Sequence, residues 1–357
     1  MPMKKLALLV LCALMSVGMY AAKKDKKADS KQSYAVNCIA FYNLENLFDT
    51  IHDEGKNDYE YLPDGGMHWT GLKYRHKVKN MAYALAQLGT DVTPRGAACI
   101  GVAEVENIGC LEDVAAEMKA KYDRNYIPIL LEGPDRRGVD VGFFYNPDLF
   151  TPVSVRGHEL KAHYADGGVV KSRLQLLVSG YLEGEKIHII VNHWPSRYGG
   201  ELSSRPTRDT AAMLCREICD SIYLKEPAAK IIIMGDLNDD PNNHSCAEVL
   251  DAKRERKDVP KQGLYNTMWK NFFDKGNGSL AYNGSWNLFD QIIISESLLN
   301  ADRKKWSYWK AQVFNKPFLT VQEGKDKGTP LRTHKANVWL DGYGDHYPTM
   351  IYLVREK

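Results

Sequence analysis

The sequence has almost no net charge: 47 Lys+Arg against 45 Asp+Glu leave +2 over 357 residues. That balance is uneven along the chain. Residues 1–33 hold seven lysines (Lys4, Lys5, Lys23, Lys24, Lys26, Lys27, Lys31) and two acids, Asp25 and Asp29, so the remainder carries 40 basic and 43 acidic residues, or −3. A uniformly cationic coat for nucleic acid is thereby excluded. The cysteines form no CxxC, and no histidine stands at zinc-finger spacing from them, which excludes the common structural zinc motifs. No fixed-period repeat and no Pro/Gly/Ser-rich linker divides the chain, so one large α/β domain is the economical reading. With 44% hydrophobic and 10% aromatic residues, disorder is excluded too.

One long apolar run is present, at the N-terminus. Met1–Lys5 is a short basic head, Leu6–Met19 carries no charge, and a lysine-rich polar stretch follows from Lys23. This is the layout of a secretory signal. Residues 1–22 are expected to be a signal peptide cut near Ala21 or Ala22, with 23–33 a polar tail and 34–357 the folded domain. The protein is then exported, to the periplasm, the cell surface or the medium. No later run is long enough to cross a bilayer. Cys38, Cys99, Cys110, Cys215, Cys219 and Cys246 remain after processing, and they are expected as buried free thiols.

Short β-branched runs alternate with amphipathic segments. The pattern predicts strands over Ala35–Tyr42, Ala97–Val105, Ile127–Leu131, Val139–Tyr145, Leu174–Tyr181, Ile187–His193, Lys230–Met234, Leu288–Ile294 and Tyr347–Val354. Helices are predicted over Tyr74–Leu88, Leu111–Lys121 and Arg208–Tyr223, the last with Pro206 near its start. Two long irregular stretches remain, Asp49–Gly71 and Ala301–Gly344. Between Ala301 and Ala336, nine basic residues face three acids, a local +6, and Trp306, Tyr308, Trp309, Phe314 and Phe318 interleave with them. Cations mixed with aromatics suit phosphate backbones and stacked bases, so this segment is the expected nucleic-acid surface.

Polar groups mark the strand ends. Asn43, Glu104 and His193 each follow or interrupt an apolar run; Asp236 and Asn238 close Ile231–Gly235; Asp290 precedes Gln291–Ile294, and Asp345-His346 precedes the last strand. Binding and catalytic groups of α/β folds converge at strand ends. Carboxylates with carboxamides make a hard oxygen cage for Mg²⁺ or Mn²⁺, and histidines beside acids move protons. Period-2 alternation would turn Glu106 to the same side as Glu104.

Five segments in order resemble the endonuclease/exonuclease/phosphatase superfamily, whose best-known fold is that of deoxyribonuclease I. They are Phe41–Asp49 (FYNLENLFD), Gly101–Asn107 (GVAEVEN), Asn192–Arg197 (NHWPSR), Gly235–Asp239 (GDLND) and Asp345–Pro348 (DHYP). The resemblance spans roughly Tyr34 to Glu356 and is strongest to the bacterial exported-nuclease branch. It implies a four-layered α/β sandwich, two mixed sheets face to face with helices outside. It also implies roles: Glu104, Asn43 and Asp345 as metal residues, Asp236 and Asn238 orienting water and phosphate, and His346 with Asp290 as its carboxylate partner. His193 would be a second histidine, with Glu132 as a candidate partner, and Arg173 and Arg197 would contact phosphate. Asp140 matches the branch without a role that follows from its chemistry. The implied activity is hydrolysis of phosphodiesters with Mg²⁺ or Mn²⁺, with Ca²⁺ a further candidate, by a monomer acting on DNA. A sphingomyelinase-like or inositol phosphate hydrolase is the alternative, with Phe314–Leu319 as a candidate membrane hairpin. A binding module that has lost catalysis is the third reading.

Overall fold

The computed structural model describes residues 33–164 and 166–357, and residues 1–32, including the expected signal peptide, lie outside the described residues. In chain order the main elements are β1 (Tyr34–Leu47), α1 (Gly71–Gln87), β2 (Ala97–Val105), α2 (Ile108–Tyr122), β3 (Ile127–Leu130), β4 (Asp140–Tyr145) and β5 (Phe150–His158). Then follow β6 (Gln175–Leu182), β7 (Glu185–His193), α3 (Glu201–Tyr223), β8 (Ile231–Asp236), β9 (Ala252–Lys253), β10 (Leu264–Asn266), β11 (Asp290–Ser295), β12 (Ser307–Val313) and β13 (Thr349–Glu356).

The strands form two mixed sheets, ordered β12-β13-β1-β2-β4-β3 and β5-β6-β7-β8-β11-β10-β9. β1 runs parallel to β2, and β7 to β8; β13 and β11 are antiparallel to their neighbours β1 and β8. The β-branched runs are continuous because each central strand is covered on both faces. In β8, Ile232 and Met234 join the core between the sheets, while Ile231 and Ile233 join the cluster under α3 with Cys215, Ile218 and Cys219. On the other side, α1 and α2 bury Met81, Leu85, Val114 and Met118 against the first sheet. The result is the four-layered sandwich that the resemblance implies. The sheets approach closely at Gly101, where a Cβ would lie 2.5 Å from Met234 Sδ. All six cysteines of the described residues are buried free thiols.

The differences from the sequence reading are physical. β1 continues past Tyr42 to Leu47, because the polar residues there face a site and not solvent. α3 begins at Glu201 with Pro206 inside it, not at Arg208. Arg208 makes this possible: wholly buried, its guanidinium donates to Glu201 O (3.0 Å) and Ser204 Oγ (2.8 Å) and pairs with Asp239 at 2.8 Å. The stretch Asp49–Gly71 is irregular but anchored, with Trp69 buried and its indole donating to Phe48 O. Ala301–Gly344 is not wholly irregular, since β12 supplies an edge strand of the first sheet and Trp306 and Phe314 are core residues. Leu319 is buried as well, so Phe314–Leu319 offers no exposed hairpin to a membrane.

Candidate active site

Parallel neighbours end at the same sheet edge, and antiparallel neighbours begin there. Asn43, Glu104, His193 and Asp236 therefore meet Asp290, at the start of β11, and Asp345-His346, just before β13. Register fixes part of this: His193 lies opposite Asp236, and Asp236 opposite Asp290. Backbone irregularities aim the rest. Glu104 has φ 60°, at a break in the β2–β4 register between Ala103 and Val105. A bulge there ends the alternation and re-aims the side chain. That is why Glu106 does not follow Glu104 to the site; its carboxylate accepts from Asp49 N at 2.7 Å, beside Asn107 and Cys110. Asn238 has φ 53°, and Gly235 approaches β7 so closely that a Cβ would sit 2.2 Å from Asn192 O.

The side chains form one network. Asn43 Nδ2 donates to Asp236 Oδ2 at 3.0 Å, and Asn238 N donates to Asp236 Oδ1 at 3.0 Å. His346 Nδ1 lies 2.6 Å from Asp290 Oδ2, and its Nε2 is 4.0 Å from Asp236 Oδ2 and 3.9 Å from Asp345 Oδ1. His193 Nε2 lies 3.8 Å from Glu104 Oε1 and 3.7 Å from Asp236 Oδ2. Arg332 Nη2 donates to Asp345 Oδ2 at 2.9 Å and its Nε to Glu45 Oε1 at 3.2 Å.

The two histidines are driven apart electrostatically. Burial opposes the charge of His346, but Asp290, Asp345 and Asp236 outweigh it and hold the imidazolium well above its ordinary range. Burial and the neighbouring cations Arg173, Arg137 and His346 push His193 well below its own. One histidine is thus a cationic donor and the other a neutral imidazole, a division suited to acid–base chemistry. Burial and Asp290 raise Asp236 to about 7, against the opposing pull of His346. A buried carboxylate strained by its own neighbours, among oxygen donors, fits a hard divalent cation. Asp236, Asp290 and His346 also bring one ligand atom each within 4.8 Å of one another.

Other expected residues are engaged elsewhere. Arg197 donates to Asn238 O, Glu201, Asp239 and Asn243 and stacks on Phe289, so its guanidinium braces the Asn238 turn and is not free for phosphate. Arg173 is buried, not a surface residue; it donates to Asp135 Oδ2 (3.2 Å) and Trp194 O (2.7 Å). Glu132 is exposed, and His193 Nδ1 is buried with no partner, so the carboxylates near His193 are Glu104 and Asp236. Asp140 acquires a structural role: it accepts from Gly133 N at 2.9 Å, shaping the turn after β3.

Of the basic segment, Arg332 reaches the site, through Asp345 and Glu45, while Arg303 is carried away from it. Arg303 covers the ring of Tyr34, at the opposite end of β1 from Asn43. Lys316, Arg332 and Lys335 pair with Asp91, Asp345 and Asp326. The cation–aromatic surface lies elsewhere, around a cavity of about 770 Å³ that includes Glu104, His193, Asp236, Asn238 and His346. Its far wall carries Arg136, Arg137, Lys171, Tyr164 and Tyr198, none of which sequence reasoning selected. The one signal for them was the adjacent pair Arg136-Arg137 in a Gly/Pro/Asp turn.

Residues 38–355 match the model of the Endonuclease/Exonuclease/phosphatase family. The chain belongs to this family. Solved structures of the same fold include an endonuclease/exonuclease/phosphatase family protein from Bacteroides thetaiotaomicron, 17% identical, covering 91% of this chain and 97% of that one, TM-score 0.52. A mannosyl-6-phosphatase from Bacteroides thetaiotaomicron VPI-5482 is 16% identical, with 89% and 99% covered, TM-score 0.52. D. rerio TDP2 complexed with single strand DNA product is 12% identical, with 89% and 99% covered, TM-score 0.51. No curated protein matches the sequence. As a member of this family, the protein is a metal-dependent hydrolase of phosphoester bonds. The third sequence reading, a module without catalysis, is therefore set aside.

Proposed function

We propose that the protein hydrolyses nucleic-acid phosphodiesters, with Mg²⁺ or Mn²⁺ held by Glu104, Asn43 and Asp345. The bound cation supplies charge neutralisation at the phosphate. Asp236, fixed by Asn43 and by Asn238 N, receives a proton from the attacking water as the water oxygen bonds to phosphorus. His346, oriented by Asp290, donates from Nε2 toward the phosphate or the departing oxygen as the ester bond breaks. His193 is a neutral hydrogen-bonding group beside Glu104 and Asp236.

The observation that carries hydrolysis is the buried Asp290–His346 pair set against Asp236. Nucleic acid as substrate is supported by exposed Tyr164 and Tyr198 beside Arg136, Arg137 and Lys171, a surface that can stack bases and track phosphates. A second reading, hydrolysis of a small phosphate ester, is supported by the size of the cavity, within the range of small-molecule pockets. Export remains part of the proposal and rests on the layout of residues 1–22. Initial rates on plasmid, single-stranded oligonucleotide, a phosphosugar and sphingomyelin, with each divalent metal, separate these readings. Nucleolysis that persists in EDTA or in His346→Ala would refute the first.

A further inference from the structure

We propose that Arg136, Arg137 and Lys171 form a ledge that binds a second phosphate of the substrate, beside the one being cleaved. The inference rests on the reading of the site as one that cleaves phosphoesters.

The cavity is electrically divided. Its catalytic end holds Glu104, Asp236 and His346; its other end holds Arg136, Arg137, Lys171 and Arg173 with Asp135 and Asp166, four positive charges against two negative, +2. The two acids are already occupied. Asp135 Oδ1 accepts from Arg137 N at 2.8 Å and its Oδ2 from Arg173 at 3.2 Å, while Asp166 Oδ1 accepts from Gly168 N at 2.9 Å. Among the described residues no carboxylate pairs with Arg136 or Lys171, and Arg137 Nε reaches Asp135 only at 3.8 Å. Between Lys171 and Arg173, Ser172 Oγ is buried without a hydrogen-bond partner. Unpaired cations gathered on one wall of a cavity are a site waiting for an anion.

The placement suits one substrate spanning both ends. β6 lies beyond β7 from β8, so Lys171 and Arg173, just before β6, stand two strands over from Asp236. Two strand spacings are about 10 Å. A substrate with a second phosphate further along would span the catalytic end and the ledge, which line one cavity. Arg173 belongs to the frame, since its donors hold Asp135 and Trp194 O; of the three exposed cations, Arg136 and Lys171 pair with no carboxylate of the described residues and Arg137 pairs only with Asp135, at 3.8 Å. This arrangement selects against esters with one phosphate and no further anion, such as sphingomyelin.

The combined variant Arg136→Gln, Lys171→Gln tests the ledge and keeps Arg137, whose charge acts on His193, in place. On bis(p-nitrophenyl) phosphate, which has one phosphate, its kcat/KM should stay within about threefold of the parent. On a 5′-phosphorylated dinucleotide, or on glucose 1,6-bisphosphate, it should fall at least about tenfold. The arm that responds identifies the source of the second phosphate, a strand or a small bisphosphate. Calorimetric binding of each probe, against dithymidine monophosphate and glucose 6-phosphate as its partners with one phosphate fewer, gives a reading independent of turnover. The parent should prefer the probe with the extra phosphate about tenfold, and the variant should lose that preference. Loss shared equally with the one-phosphate substrate, or no preference in the parent for either probe, would overturn the ledge. Failure to cleave bis(p-nitrophenyl) phosphate with intact binding preference would sink the hydrolytic reading and leave the ledge standing.

Discussion

Arg173 and Asn238 donate to the same carbonyl oxygen, that of Trp194, at 2.7 and 3.0 Å. Through it the buried arginine before β6 is tied to the asparagine that follows β8. The link explains how a buried residue held by Asp135 and Trp194 O can govern the site. Arg173→Ala should destabilise the fold by about 3 kcal/mol, because it removes the buried guanidinium from Asp135 Oδ2 and leaves that carboxylate only Arg137. Arg173→Lys should recover only part, since one ammonium cannot hold both acceptors with the fork geometry of a guanidinium. Urea midpoints of the three proteins check this; full rescue by lysine would refute it.

His346 owes its orientation to Asp290, 2.6 Å away and wholly buried. Asp290→Asn keeps the shape but removes the charge that sustains the imidazolium. kcat should fall by about 10³ or more, with little change in KM. Rates measured with saturating Mn²⁺ and a matched melting curve decide it.

Metal binding should be visible without turnover. A divalent cation that binds only the folded state should stabilise it by about 2.7 kcal/mol at 100 times its Kd. EDTA should remove this gain, and Glu104→Gln should shrink it. Thermal melts with and without Mg²⁺ read both, and an unchanged gain in Glu104→Gln would exclude Glu104 as a ligand.

Stability should depend on pH through Glu185, far from the catalytic edge. Burial raises its carboxyl, but Lys230, the Trp306 amide and Arg355 outweigh burial and hold it below its ordinary value. A depressed carboxyl stabilises the fold above its unfolded pKa, and the contribution is lost as pH falls through the folded one. Glu185→Gln should therefore cost about 1–3 kcal/mol at pH 7, with the difference closing below about pH 4. Denaturation at both pH values shows whether the gap closes.

The cluster Arg303, Lys304 and Lys305 should be dispensable. Arg303 stacks on Tyr34, nine residues along β1 from Asn43, a separation of about 30 Å at strand rise. Replacing all three by Gln should leave nucleic-acid cleavage and its salt dependence within twofold, by the same spacing argument. A steep loss would return the substrate surface to that segment.

Sequence alone determined the architecture and most of the chemistry-bearing positions. Apolar runs of strand length, alternating with amphipathic helices, specify a layered α/β fold, and polar residues interrupting those runs mark a sheet edge. Asn43, Glu104, His193, Asp236, Asn238, Asp290, Asp345 and His346 stood out together as polar residues at the ends of buried runs, though capping or a turn is the commoner reason for any one of them, and the family resemblance supplied their roles. Tertiary structure alone decided three things. The bulge at Glu104 separated it from Glu106, since alternation fails once an extra residue enters the ladder. Ion pairing with acids outside the stretch engaged Lys316 and Arg332 of the +6 segment that had looked like a nucleic-acid surface, and Arg303 went to the opposite end of β1 from the site. The uneven charge along a nearly neutral chain found its meaning only when two separate loops brought Arg136, Arg137 and Lys171 to one cavity wall, a proximity that no local pattern encodes.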